Sequence, residues 1–182
     1  MYPFHLAICV RDIEEARGFY GGLLGCAEGR SAAHWVDFDL YGHQLVCHLD
    51  TRLGSEGSVS RLENPVDGDA VPVPHFGVVL DMISWKRLAE TLSAGGMNFI
   101  IDPHIRFQGQ PGEQATMFFL DPSGNALEFK AFQNVAEQLF ATQPLTGGAS
   151  NITDLQAGGQ CESNAAESAC RSDPDGSAAD LQ

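Results

Sequence analysis

Two stretches of this chain alternate bulky apolar residues with small or polar ones, and both open on a histidine: His5-Leu6-Ala7-Ile8-Cys9-Val10 and His75-Phe76-Gly77-Val78-Val79-Leu80. A period of two over six residues reads as a short strand with one packed face. Each run leads into a helical pattern. Asp12 is placed to cap the first helix with Glu15 three residues on, and Ile13, Ala16, Tyr20 and Leu23 fall on one face. In the second copy Ser84 is the expected cap, followed by an apolar stripe of Trp85, Leu88, Ala89 and Leu92. Both patterns stop at glycine, Gly25 in one copy and Gly95-Gly96 in the other. The ends of the copies also match, because residues 39–48 align with 121–130, each with an Asp- and Gly-bearing turn between two strand-like segments. The pattern predicts an α+β fold of two βαβββ modules, the first at about 3–50 and the second at 74–133. A connector spans 51–73, a closing helix 134–142, and a separate tail 143–182.

Alternation assigns faces as well as strands. Phe4, Leu6, Ile8 and Val10 should pack on the helices, which leaves His5, Ala7 and Cys9 opposite. Phe76, Val78 and Leu80 likewise leave His75, Gly77 and Val79 opposite, and Leu127 and Phe129 leave Ala126, Glu128 and Lys130. His5, His75 and Glu128 therefore all lie on the side away from the helices. Pairing the two sheets into a half-open barrel would make that side the lining of a cavity.

Composition narrows the classes of function. Hydrophobic residues make up 43% and charged residues 19%, which is globular. A net charge of −14 excludes a phosphate-binding surface of the nucleic-acid or anionic-membrane kind, since both are built from Lys and Arg. No apolar run reaches the roughly 20 residues of a membrane-spanning helix. The first residues carry no basic segment followed by an apolar one, so a cytoplasmic protein is expected. Cys9, Cys26 and Cys47 read as small buried hydrophobes of a reducing compartment. From residue 143 the chain is rich in Gly, Ala, Ser, Asn and Asp and has no aromatic residue, so an acidic, disordered tail is expected. Such a segment cannot offset an ordering entropy of about 1–2 kcal/mol per residue.

The repeat resembles the vicinal-oxygen-chelate superfamily, which includes glyoxalase I, bleomycin-resistance proteins, fosfomycin-resistance transferases and extradiol dioxygenases. The residues that carry the resemblance are His-Leu-Ala-Ile-Cys-Val-Arg-Asp-Ile at 5–13, Ala-Arg-Gly-Phe-Tyr at 16–20, Leu-Leu-Gly at 23–25 and His-Phe-Gly-Val-Val-Leu at 75–80. The most specific piece is Phe-Phe-Leu-Asp-Pro-Ser-Gly-Asn-Ala-Leu-Glu-Phe at 118–129. The resemblance implies that His5, His75 and Glu128 hold a divalent metal around which a small substrate chelates through neighbouring oxygens. It also implies a homodimer. Two imidazoles and one carboxylate leave open positions on Fe(II) or Mn(II), the favoured metals, or on Ni(II) or Zn(II).

Departures from family patterns sort the members. Glyoxalase I has a fourth protein ligand where this chain has Val46, and its same-face neighbours Gln44 and His48 are candidates for a fourth ligand or for hydrogen bonding behind the ligands. The three-ligand set resembles extradiol dioxygenases instead. Phe118, however, stands at their usual Tyr, and Gln108 and Gln110 stand where an acid/base His would fall. The polar stretch 102–114 reads as a long loop of the lid type, in which Arg106 could clamp a substrate anion and His104 could act as acid or base. Two other readings stay open: a metal-free binding protein of the bleomycin-resistance kind, and a fosfomycin-type resistance transferase.

Overall fold

The first alternating run forms β1 (His5–Val10), and the Asp12 carboxylate caps the next helix by accepting from the Glu15 amide. The structure is a computed structural model and describes residues 2–66, 68–110 and 112–140. Helix α1 (Ile13–Ala16) continues without a break into wider π-helical turns over Arg17–Leu23, a segment holding Gly18, Gly21 and Gly22. The extra residue per turn shifts the buried stripe, so that Phe19, Tyr20 and Leu24 are buried and the expected Leu23 is only half-buried. Gly25, at φ 68°, ends it.

Strands β2 (Ala27–Ala32), β3 (Trp35–Leu40) and β4 (His43–Leu49) complete the first module in the order β1-β4-β3-β2. The second module has β7 (His75–Phe76), β8 (Val79–Leu80), α2 (Met82–Ala94), β9 (Phe99–Arg106), β10 (Gln114–Leu120) and β11 (Ala126–Ala131). There β7 and β8 run side by side with β11, followed by β10 and β9. The expected α+β class and doubled βαβββ order are both present. His5 lies beside Gln44 and His75 beside Ala126, so Val46 and Glu128 occupy equivalent positions, as the internal alignment predicts.

Two local expectations need correction. Asp81, not Ser84, caps α2, because its carboxylate accepts the amides of both Ile83 and Ser84 and the Ser84 hydroxyl. The connector holds a 3-10 turn at Thr51–Leu53 and a hairpin of β5 (Leu62–Val66) with β6 (Asp69–Val73). The closing helix α3 covers only Val135–Gln138, and the tail 143–182 lies outside the described residues.

One apolar core serves both modules. Val10, Tyr20, Phe38 and Leu45 from the first join Trp85, Leu92, Phe119, Leu127 and Phe129 from the second. Phe19 approaches Phe119 at 6.2 Å, and Tyr41 meets Phe129 edge-on at 5.6 Å. Each fully buried Phe or Leu contributes roughly 1.5–3 kcal/mol. Polar ties cross the same seam. The buried Tyr20 hydroxyl donates to Asp121 at 2.9 Å, and the Asn125 amide donates to the Cys9 carbonyl at 2.9 Å. Cys26 and Cys47 are buried, and burial pushes the Cys26 thiol up to about 11, consistent with inert packing. Cys9 is exposed on the outer side of β1, contrary to expectation, because it shares the phase of His5 and Ala7. Among the described residues, no helix is long and apolar enough to cross a membrane.

Candidate functional site

On the side of β11 and β10 turned away from the helices, Glu128 lies opposite Phe118, and Lys130 opposite Thr116. His75 joins them from β7. Its Nε2 stands 3.2 Å from Oε2 of Glu128, which is only 6% exposed. Both groups are held from behind. His75 Nδ1 is 2.6 Å from the Pro72 carbonyl oxygen, and the Thr116 hydroxyl donates to Glu128 Oε1 at 2.8 Å. Phe118 meets the His75 ring edge-on at 5.2 Å. Lys130 Nζ lies 3.3 Å from the same Oε2 that His75 faces.

This pattern has a chemical consequence. Pro72 O and the Glu128 carboxylate can only accept, so the imidazole satisfies both only with a proton on each nitrogen. The Nδ1 proton is committed to Pro72. The Nε2 proton occupies the line toward Glu128, where a cation would serve equally well. Orientation of a ligating histidine through its other nitrogen is the usual support for metal binding. The donor set thus fits half of a divalent-metal site.

The electrostatics agree. The hydrogen bond with Glu128 raises the His75 pKa above its ordinary 6.5, against the opposing effect of burial. Burial pushes the Glu128 carboxyl up, but His75, Lys130 and Thr116 outweigh it and hold the pKa below the ordinary 4.5. A lowered acid contributes stability above its unfolded pKa, and a raised base contributes it below its own. The pair therefore stabilises the metal-free protein most between 4.5 and 6.5, losing its contribution on acidification through Glu128 and on alkalinisation through His75. Urea titrations of the parent and His75→Gln across pH 3–9 are expected to differ most in that window. Metal affinity should rise with pH as the Nε2 proton leaves.

His5 is prepared in the same way on the other sheet. Its Nδ1 is 2.7 Å from Gln44 Oε1, while the Gln44 amide nitrogen donates to the buried Asp37 carboxylate at 3.1 Å. That second bond sets the amide's orientation, so His5 Nδ1 donates and Nε2 is left as a lone pair facing outward. Arg30 reaches Asp37 at 3.4 Å, and a groove of about 380 Å³ runs past Arg30, Asp37, His43 and Gln44. His48 is exposed on the same side of the sheet, beside Cys9. Each sheet turns its helix side to the shared core, and its other side away from it. One chain therefore brings His75 and Glu128 together but not His5. Among the described residues, no three His, Cys, Asp or Glu side chains gather to hold a metal.

The 102–114 stretch is not a lid. Strand β9 runs through Arg106, so only residues 107–113 connect it to β10. Arg106 is 5% exposed, and it donates to the Val66 carbonyl at 2.7 Å and approaches Asp69 at 3.5 Å. His104 hydrogen-bonds the Asp102 carbonyl, with Asp69 at 3.9 Å. Arg106 pins the β5–β6 hairpin, whose Val71 packs on Ile101 and Phe118. The hairpin thereby walls one flank of the His75–Glu128 pair and supplies Pro72. The roles of Thr116, Pro72, Asp37 and Lys130 are not apparent from the sequence. Of these only Lys130 leaves a signal there, two residues from Glu128 on the same strand face.

With that geometry in place, the chain matches the model of the Glyoxalase/Bleomycin resistance protein/Dioxygenase superfamily over residues 3–129, and it belongs to that superfamily. It is similar to a solved glyoxalase/bleomycin resistance protein/dioxygenase from Alicyclobacillus acidocaldarius, at 36% identity and a TM-score of 0.60, covering 75% of this chain and 95% of that one. A genomically encoded fosfomycin resistance protein from Listeria monocytogenes shares the fold at 16% identity and a TM-score of 0.54, covering 76% and 98%. A glyoxalase/dioxygenase from Nostoc punctiforme does so at 18% and 0.54, covering 73% and 92%. No curated protein matches the sequence.

Proposed function

We propose that this chain is a divalent-metal-dependent enzyme acting on a small substrate with neighbouring oxygens, and that its site is completed between two copies. His75 and Glu128 of one copy and His5 of the other would hold the metal. Fe(II) or Mn(II) suits this two-histidine, one-carboxylate set best, with Ni(II) or Zn(II) as alternatives. The observation that carries the reading is the pair of acceptors on His75, which commits Nδ1 to Pro72 and leaves Nε2 beside Glu128. His5, exposed and held through Nδ1 by Gln44, supports it from the other sheet. Tyr2 and Phe4 beside it are 97% and 61% exposed, an apolar surface that a second copy would cover.

The metal, when bound, supplies Lewis acidity to the chelating oxygens and open positions for exchange. The protein's own share is different. Pro72 and Thr116 fix the ligands, Phe118 gives the site an apolar wall, and the β5–β6 hairpin shields it from water on one side. Three protein ligands without a fourth at Val46 favour a ring-cleaving dioxygenase over glyoxalase I chemistry.

The test is metal content with subunit mixing. The parent, reconstituted with Mn(II), is expected to hold about one ion per chain. His5→Ala and Glu128→Ala should each lose it. A mixed dimer of the two variants contains one site with all three ligands, so it should regain about half the parent's metal. No regain on mixing would sink the shared site. No metal in the parent would leave a metal-free binding protein in front.

A further inference from the structure

Lys130 is the one residue at this site that the metal reading leaves unexplained. It projects from β11 two residues beyond Glu128, half-buried, with Nζ 3.3 Å from Oε2. Its nearest cross-strand neighbours on that face, Thr116 and Phe118, carry no charge, and His104, one strand further on, faces Asp69 at 3.9 Å. His75 and Lys130 share a single carboxylate oxygen. When a divalent ion takes that oxygen, the ammonium loses its counter-charge. The ion and Lys130 then outweigh the Glu128 carboxylate and leave a positive excess in a partly desolvated place. Such an excess is costly unless the ligand brings negative charge beyond its chelating oxygens. The protein as a whole is strongly acidic, at −14, so a local positive excess of this kind is specific to the site.

We propose that Lys130 is the anion-binding, specificity-determining residue of this site, and that the substrate carries a carboxylate, phosphate or phosphonate group next to its chelating oxygens. The assignment rests on the metal reading above. It gives Lys130 a role that Arg106, committed to the β5–β6 hairpin, does not fill. It also predicts that neutral diols of the same size bind poorly.

The test uses the full chain, with inorganic phosphate as the probe, followed by calorimetry. In the Mn(II)-loaded protein, Lys130→Met should keep its metal and weaken phosphate binding about tenfold or more, the loss of one charge-assisted contact. Equal phosphate affinity in parent and variant would overturn the proposal while leaving the metal site intact. A parent that holds no Mn(II) fails the metal reading separately, and metal-free variants then decide the role of Lys130. Glu128→Gln removes the competing charge and should bind phosphate about tenfold more tightly than the parent. Adding Lys130→Met should erase that gain, and identical binding by the single and double variants overturns the assignment. Oxalate titrated in parallel distinguishes a planar carboxylate from a tetrahedral oxyanion by which of the two depends more on Lys130.

Discussion

Glu128→Ala is expected to reduce bound metal from about one ion per chain to less than a tenth of that, because a two-histidine set without its carboxylate loses both a bond and the charge that balances the ion. The effect is large because nothing nearby can substitute. The residues beside Glu128 on its sheet face are Thr116, Phe118 and Lys130, and none is an anionic ligand. The fold should survive, since Glu128 points away from the core shared by Leu127 and Phe129. His75, the Thr116 hydroxyl and Lys130 lose a partner, so the protein without bound metal is expected to lose about 1–2 kcal/mol, the ordinary cost of an unmade bond at a partly buried site. Elemental analysis and a urea titration read the two effects separately. Parental metal content in the variant would place the ion elsewhere.

Gly77→Ala is expected to be strongly damaging for so small a change, costing about 3 kcal/mol, as overpacking against an immovable backbone does. Gly77 separates β7 from β8, and a β-carbon there would collide with the carbonyl group of Glu128. The backbone cannot yield without moving β11. Val78 O accepts from the Lys130 amide at 3.2 Å on one side, and His75 pairs with Ala126 on the other. Displacing β11 moves Glu128 relative to His75, so metal affinity should fall together with stability. The equivalent position in the first module is Ala7, beside Val46 in an unbroken strand, where the methyl group is accommodated. Gly18→Ala is the control: a methyl group there would meet no atom within 4 Å, and the change should be neutral or stabilising by up to about 1 kcal/mol. A Gly77→Ala protein with the parent's melting temperature would show that β7 and β11 lie further apart than this close approach requires.

The candidate site is legible in the sequence to different depths. His75 and Glu128 can be placed on one face because strand side chains alternate with period two, and both runs alternate cleanly. Asp12 is legible as a cap from local chemistry alone, whereas at the second helix two capping residues stand three apart and Asp81 prevails over Ser84. Arg106 and His104 resemble loop residues because Pro103, Gly109 and Gly112 weaken a strand pattern. Pairing of Arg106 with Gln114 and of His104 with Thr116 makes them strand residues; the hairpin then takes the Arg106 guanidinium, and the Asp102 carbonyl takes the His104 ring. The hairpin itself is hidden by Pro65, Gly68 and Pro72, which mark turns more readily than strands.

The doubled βαβββ order, the glycine stops and the face on which each histidine and Glu128 stand follow from interactions within a few residues, so the amino-acid order suffices to read them. The remaining features arise only when distant segments meet. Packing sets Thr116 behind Glu128, Gln44 and Asp37 behind His5, and Arg106 into the hairpin wall. It also places the cores of both sheets together, so that His5 stands apart from His75 and Glu128 within one chain. Many of these contacts join residues far apart in the chain, and local periodicity carries no information about such pairings.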